Sequence, residues 1–240
     1  MFKILKRLVL GYKADSNSFL NHLRKRGANI GENVTLFAGP RHCFIDEQNP
    51  FLLHIGDYVQ ITHGVVILTH DYGWSVLKNK YGVVLGNQNS VFIGNNVFIG
   101  NNAIILPGSN IGANVIIGAG AVVKGVIPSN SVVAGCPAKI ICTLEDYRIK
   151  RSSLQVEEAY NLYKSYVETY NSYPAESLFR EYFWLFTNNS DSLIPEFNAV
   201  NKLMNSTKTN EAFGKHTPVF DSYDTFNDYC LSRMSEEQVS

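Results

Sequence analysis

Between residues 93 and 128 the chain repeats itself every six residues, and few folds accommodate that beat. Ile93, Ile99, Ile105, Ile111, Ile117 and Val123 are spaced by six. Each is followed four positions later by a small or β-branched residue: Val97, Ala103, Ser109, Val115, Ala121 and Ile127. A helix turns residues six apart to different faces, whereas a short strand plus a tight turn returns the chain to the same inward position. Three such units close a triangular coil of eighteen residues. Stacked coils pair their backbones at about 4.8 Å, and the aliphatic at each hexad start stacks on the one above in a dry interior. The intervening Gly94-Asn95-Asn96, Gly100-Asn101-Asn102, Gly112-Ala113-Asn114 and Gly118-Ala119-Gly120 suit left-handed corners. The pattern specifies a parallel β-helix.

The beat extends towards the N-terminus with interruptions. Ile30-Gly31-Glu32-Asn33-Val34 and Ile55-Gly56-Asp57-Tyr58-Val59 share the Ile-Gly-x-x-Val form, and Ile61 and Ile67 continue the second at the right spacing. From Ile67 to Ile93 the step is one hexad plus twenty residues. Insertions in such coils leave from corners and often carry function, so residues 70–90 are expected to project as a loop.

Different patterns flank the coil. Residues 16–27 predict a helix with Ser16 or Ser18 as cap, Phe19, Leu20 and Leu23 on one face and Gly27 as the stop; it would cover the open end of the coil. Beyond residue 145, Ser152 and Gln155 suit a capping box for a long amphipathic helix through Val156, Tyr160, Tyr163, Val167 and Tyr170. Three further helices are suggested around Phe179 to Phe186, Phe197 to Met204 and Tyr223 to Tyr229. Their aromatic side chains suit either helix core and interface or a surface for stacking sugars. The expected organisation is an N-terminal helical segment, 1–28, a β-helix domain, 29–145, and a helical domain, 146–240.

Composition narrows the function classes. With 21 Lys and Arg against 21 Asp and Glu the formal net charge is zero, so there is no basic excess to suggest nucleic acid. Cys43, Cys136, Cys142 and Cys230 are scattered and match no zinc or disulfide spacing, so a cytoplasmic setting is expected. The apolar run Phe2 to Leu10 is short and interrupted by Lys3, Lys6 and Arg7. It suits a packed helix, with membrane contact at most peripheral.

From Phe19 to Tyr147 the sequence resembles the hexapeptide-repeat acyltransferases, which fold as a left-handed β-helix, and among them the sugar O-acetyltransferases of capsule, O-antigen and exopolysaccharide clusters. The carriers are Leu23 to Gly31 at the entry, Ile67-Leu68-Thr69-His70-Asp71-Tyr72 at the loop, Ile93 to Gly100 and Ile117 to Val123 in the repeat, and Ile127 to Lys139 at the exit. His70 aligns with the catalytic histidine of galactoside- and maltose-type acetyltransferases. Independently of that alignment, acetyl transfer to a hydroxyl needs a group that accepts its proton, and histidine titrates in the right range. Asp71 or a backbone carbonyl is a candidate to hold the other ring nitrogen; Asp71 is equally suited to capping the loop.

The resemblance also implies acetyl-CoA as donor. The backbone at Asn101 and Ala119 matches the positions that bond the pantetheine arm, with Phe98 against it, where the galactoside enzyme has Trp. Lys124 and Lys139 are the cations for its phosphates. Asp46, Tyr72 and Trp74 are candidates to meet the acceptor, Asp46 lying in a segment that resembles one at the family's interface groove. Members are trimers, so a homotrimer with sites between subunits is expected. His42, His54, His63 and His70 lack the close pair of the zinc-binding β-helix enzymes, and no metal is expected. Cys136 and Cys142 have no base beside them, so direct transfer without an acyl-enzyme is expected. The function implied is O-acetylation of a sugar of a surface polysaccharide or its precursor; the alternatives are N-acetylation of a nucleotide-linked amino sugar and a non-catalytic scaffold.

Overall fold

The computed structural model describes residues 9–188, 192–204 and 206–239. Most of the Phe2 to Leu10 run, residues 2–8, lies outside them. The chain forms two compact units, Met1–Arg148 and Ile149–Ser240.

In the first unit the strands stack into three parallel faces. One holds Asn29–Ile30, Leu53–Ile55, Val91–Ile93, Asn110–Ile111 and Val126–Ile127. The second holds Thr35–Leu36, Gln60–Ile61, Val97–Ile99, Val115–Ile117 and Ser131–Ala134. Phe44–Ile45, Val66–Ile67, Ile104–Ile105 and Val122–Val123 form the third. The chain visits the faces in that order, so each coil has three corners. Val97 pairs with Val115 and Ile104 with Val122, eighteen residues on, as the repeat requires. Ile61, Ile67, Ile99, Ile105, Ile117 and Val123 are 0% exposed and form the dry interior.

Register shows where the beat changes. Ile67 pairs with Ile105 and Ile55 with Ile93, 38 residues on rather than eighteen, so twenty residues are looped out. Near the exit Ile111 pairs with Ile127 and Ile117 with Val133, only sixteen residues on. Ile127 is therefore itself a stacked hexad start rather than the fourth position after Val123. Gly125, at φ 82°, makes the corner two residues shorter than the others, a conformation that side chains on an L-residue disfavour. At the first-to-second corner Asn96, Asn114 and Asn130 take left-handed φ values of 55°, 57° and 58°, and their amides form a ladder at 2.9 Å per step.

Helix α1, Ser16–Lys25, ends two residues before the expected stop and is capped by Asp15 rather than by Ser16 or Ser18. The Ser18 N–H donates to Asp15 Oδ1 at 2.8 Å, because an ionised carboxylate one residue earlier is the stronger acceptor. Phe19, Leu20 and Leu23 pack into the same core as the first coil and cover its end. At the far end Lys139–Thr143 pairs antiparallel with Ser131–Ala134.

The looped-out segment contains α2, Trp74–Tyr81, which buries no residue. Helix α3, Leu144–Tyr170, begins eight residues before Ser152, so Ser152 and Gln155 lie within it. Its start is set by Thr143 and Asp146: the Asp146 N–H donates to Thr143 Oγ1 at 3.1 Å and the Thr143 hydroxyl donates to Asp146 Oδ2 at 2.6 Å, a reciprocal cap.

The second unit has its own core, in which Tyr160, Tyr163, Phe179, Phe183, Phe186, Phe197 and Phe226 are buried. These rings are packing, not a sugar-stacking surface. The expected helix around Phe179 to Phe186 is instead two short 3-10 turns, Glu176–Phe179 and Phe183–Leu185, which aim rings closely spaced in sequence into one cluster. Helices α4, Pro195–Asn201, α5, Ser206–Phe213, and α6, Tyr223–Val239, follow.

Candidate functional site

The segment looped out at the third-to-first corner begins and ends as a two-stranded antiparallel stem, with His70 opposite Gln88 and Asp71 opposite Asn87. The stem roots the loop, since the Asn89 N–H donates to the Thr69 carbonyl at 2.9 Å. It leaves His70 at the rim of the prism, its side chain 12% exposed.

His70 Nδ1 lies 2.5 Å from Asp46 Oδ2. The Asp46 side chain comes from the same corner one coil earlier, where Ile45 pairs with Ile67. Its Oδ2 also accepts the Thr69 N–H at 3.0 Å and the Thr69 hydroxyl at 2.6 Å, and its Oδ1 accepts the Gln48 N–H at 2.9 Å. Burial of Asp46, which is 1% exposed, pushes its carboxyl up; the hydrogen bonds from Thr69, Gln48 and His70 together outweigh this and hold it below the usual carboxylate range. Asp46 is thus an anion at neutral pH. An anion at Nδ1 fixes the tautomer that carries the proton there and leaves Nε2 with its lone pair. That arrangement can take a proton from a hydroxyl at Nε2, while Asp46 stabilises the imidazolium formed.

Asp71 points elsewhere. Its Oδ1 accepts the Gly73 N–H at 2.9 Å, and its Oδ2 accepts a hydrogen bond from the Asn87 side-chain amide. These contacts, led by Gly73, hold its carboxyl below the usual range, and they make it the clasp of the stem. Tyr72 meets His70 edge-on, ring centroids 5.2 Å apart, and Trp74 follows at 6.0 Å from Tyr72. Tyr72 is 63% exposed beside the histidine.

The residues associated with the donor fall at two corners. Asn101 and Ala119 occupy the second-to-third corner of successive coils, where the Gly120 N–H donates to the Asn101 carbonyl at 2.8 Å. Side chains are excluded beside them: a Cβ on Gly100 would lie 2.6 Å from the Ala119 nitrogen. Phe98 faces outward from the second face, between Gln60 and Ile116. Lys139, exposed, follows the same corner at the exit, opposite Ala134. Lys124, also exposed, lies instead at the third-to-first corner with His70, close enough to act on Asp71 electrostatically. Within one chain the third face separates the two corners.

All four cysteines are free thiols. Burial pushes Cys43 up to about 11 and Cys230 up to about 12, so both stay protonated at neutral pH.

Sequence reasoning missed the pairing of Asp46 with His70. The signal was present in Ile45, which occupies a hexad start outside the regular spacing; once it is stacked under Ile67, Asp46 falls beside the root of the loop.

The bacterial transferase hexapeptide (six repeats) family matches residues 90–125. Protein CapG of Staphylococcus aureus is 44% identical over 128 residues, which cover 53% of this chain and 73% of CapG. The chain belongs to the hexapeptide-repeat transferase family. Membership places it among the acyltransferases and gives the coil its left hand. WbbJ of Escherichia coli K12, named for O-acetyl transfer in lipopolysaccharide biosynthesis, is 53% identical over 54 residues, 22% of this chain and 28% of WbbJ. The galactoside O-acetyltransferase of the same strain is 35% identical over 124 residues, 50% of this chain and 57% of that enzyme. No described helix is long and apolar enough to cross a membrane.

Proposed function

We propose that this transferase moves an acetyl group from acetyl-CoA to a sugar hydroxyl of a surface polysaccharide or its precursor, with His70 as general base. The observation that carries the reading is the 2.5 Å contact between His70 Nδ1 and the buried Asp46 carboxylate. His70 Nε2 takes the hydroxyl proton as the sugar oxygen attacks the thioester carbonyl carbon. The tetrahedral intermediate collapses with cleavage of the C–S bond, and the imidazolium returns the proton to the departing thiolate. Asp46 keeps the ring oriented and offsets its transient charge. Tyr72 and Trp74 offer ring faces to the acceptor beside the base. The names of WbbJ and the galactoside enzyme favour a sugar hydroxyl as acceptor.

The corner geometry favours a homotrimer. A pantetheine arm along Asn101 and Ala119 lies across one face from the same chain's His70, so the base and the donor meet where one copy's third-to-first corner abuts another's second-to-third corner. Lys139 then serves the donor phosphates along its own corner, and Lys124 approaches from the His70 side.

The test is thiol release from acetyl-CoA in the presence of sugars that offer hydroxyls, and of amino sugars. Release with the hydroxyl acceptors supports the reading. Release with amino sugars alone replaces it with N-acetylation, and none with any acceptor leaves a scaffold.

A further inference from the structure

Asp46 is followed by three residues that each grip a different piece of chain around the base. Gln48 Oε1 accepts the Tyr72 hydroxyl at 3.4 Å, and the Asn49 amide donates at 2.9 Å to Gln88 Oε1, on the strand partner of His70. Glu47 reaches the other way. Its Oε2 accepts the Tyr12 hydroxyl at 3.0 Å and lies 3.8 Å from His22 Nε2, while Lys13 Nζ lies 2.7 Å from Oε1. The three partners are themselves ordered: the rings of Tyr12 and His22 stack at 3.8 Å and 9°, and the Lys13 ammonium stands 5.7 Å from the Tyr12 ring and 5.8 Å from that of Phe19. The hydrogen bond to Glu47 raises the Lys13 ammonium above its ordinary value against the opposing pull of burial.

Glu47, Gln48 and Asn49 belong to no strand or helix; the Leu52 N–H donates to the Asn49 carbonyl at 3.0 Å, and the side-chain contacts of Glu47 and Gln48 hold the rest of this stretch. Adjacent Cα atoms are tied at about 3.8 Å, and a shift at Glu47 is therefore felt at Asp46. Asp46 Oδ2 already carries three partners and has no spare contact to absorb such a shift.

We propose that Glu47, clamped by Tyr12, Lys13 and His22, is a positioning residue for the Asp46–His70 pair, so that the segment preceding the β-helix sets the aim of the base. The inference rests on the role of His70 proposed above. Glu47 acts through Asp46 and His70 and does not itself touch substrate.

The experiment is steady-state acetyl transfer by the full chain, using acetyl-CoA and an accepted sugar, for Glu47→Ala and Glu47→Gln in the wild-type and His70→Ala backgrounds, with Tm measured for each. Misaiming a base lowers turnover rather than binding, so Glu47→Ala is expected to lose about 10- to 100-fold in kcat while both KM values stay within about twofold. Glu47→Gln keeps an acceptor for Tyr12 and is expected to recover part of the loss. In the His70→Ala background the residual activity is expected to be indifferent to Glu47→Ala, because the residue acts through the histidine. Wild-type kcat in a folded Glu47→Ala, or an equal loss in both backgrounds, overturns the proposal. Should Glu47→Ala not fold, the double variant Tyr12→Phe, Lys13→Met removes two of the clamp's donors from exposed side chains and is read by the same outcomes. An inactive His70→Ala beside a fully active Glu47→Ala refutes the clamp alone; a fully active His70→Ala refutes the base, and the clamp's role with it.

Discussion

Asp46 Oδ2 stands 2.5 Å from His70 Nδ1 although the two residues are 24 apart in sequence, because Ile45 and Ile67 are stacked in neighbouring coils. Asp46→Asn puts an amide beside Nδ1, and an amide that donates there selects the tautomer with its proton on Nε2. Turnover is expected to fall on the order of 10²- to 10⁴-fold in a variant that still folds. Steady-state kinetics beside a thermal melt check this.

Acid removes the same contacts. The folded Asp46 carboxyl is held below its ordinary value, so it binds a proton less readily than in the unfolded chain. The stability it contributes is fully present above the unfolded carboxyl value of about 3.9 and is lost as pH falls through the lower folded value. Urea unfolding at descending pH is expected to show a gap between wild type and Asp46→Asn that is constant above about pH 5 and narrows below about pH 4.

Tyr72 touches His70 edge-on and is 63% exposed. Tyr72→Ala is expected to raise the acceptor KM about 3- to 10-fold, the value of one aromatic contact, with the acetyl-CoA KM unchanged. Initial rates with each substrate varied in turn separate the two.

The interior stack carries the stability of the coil. Ile99 is 0% exposed between Ile61 and Ile117. Ile99→Ala is expected to lose about 2–5 kcal/mol, read as a lower denaturation midpoint in urea.

The coil was legible because its signal is local and redundant: six successive aliphatics from Ile93 set the period, and the step from Ile67 to Ile93 measured the insertion. What escaped depends on contacts between distant residues or on competition between similar local signals. Asp46 meets His70 only once an irregular first coil is stacked, where Leu36 to Ile45 and Ile45 to Ile55 both exceed a hexad. Asp71, adjacent to His70, was the natural local candidate, yet strand alternation turns neighbouring side chains to opposite sides, and its carboxylate closes the stem instead. Ser152 and Gln155 suit a cap, but Thr143 and Asp146 form one nine residues earlier and the helix runs on from it through Ser152. Lys124 directly follows Val123 at the end of the third face and Lys139 lies opposite Ala134 at the end of the second, so the two lysines fall at different corners although both stand near the end of the repeat.

Thiol release from acetyl-CoA, driven by an accepted sugar and compared between wild type and a folded His70→Ala, tests whether His70 is the base. Loss of about 10²- to 10⁴-fold in kcat is the predicted result; turnover equal to wild type in the variant contradicts the account.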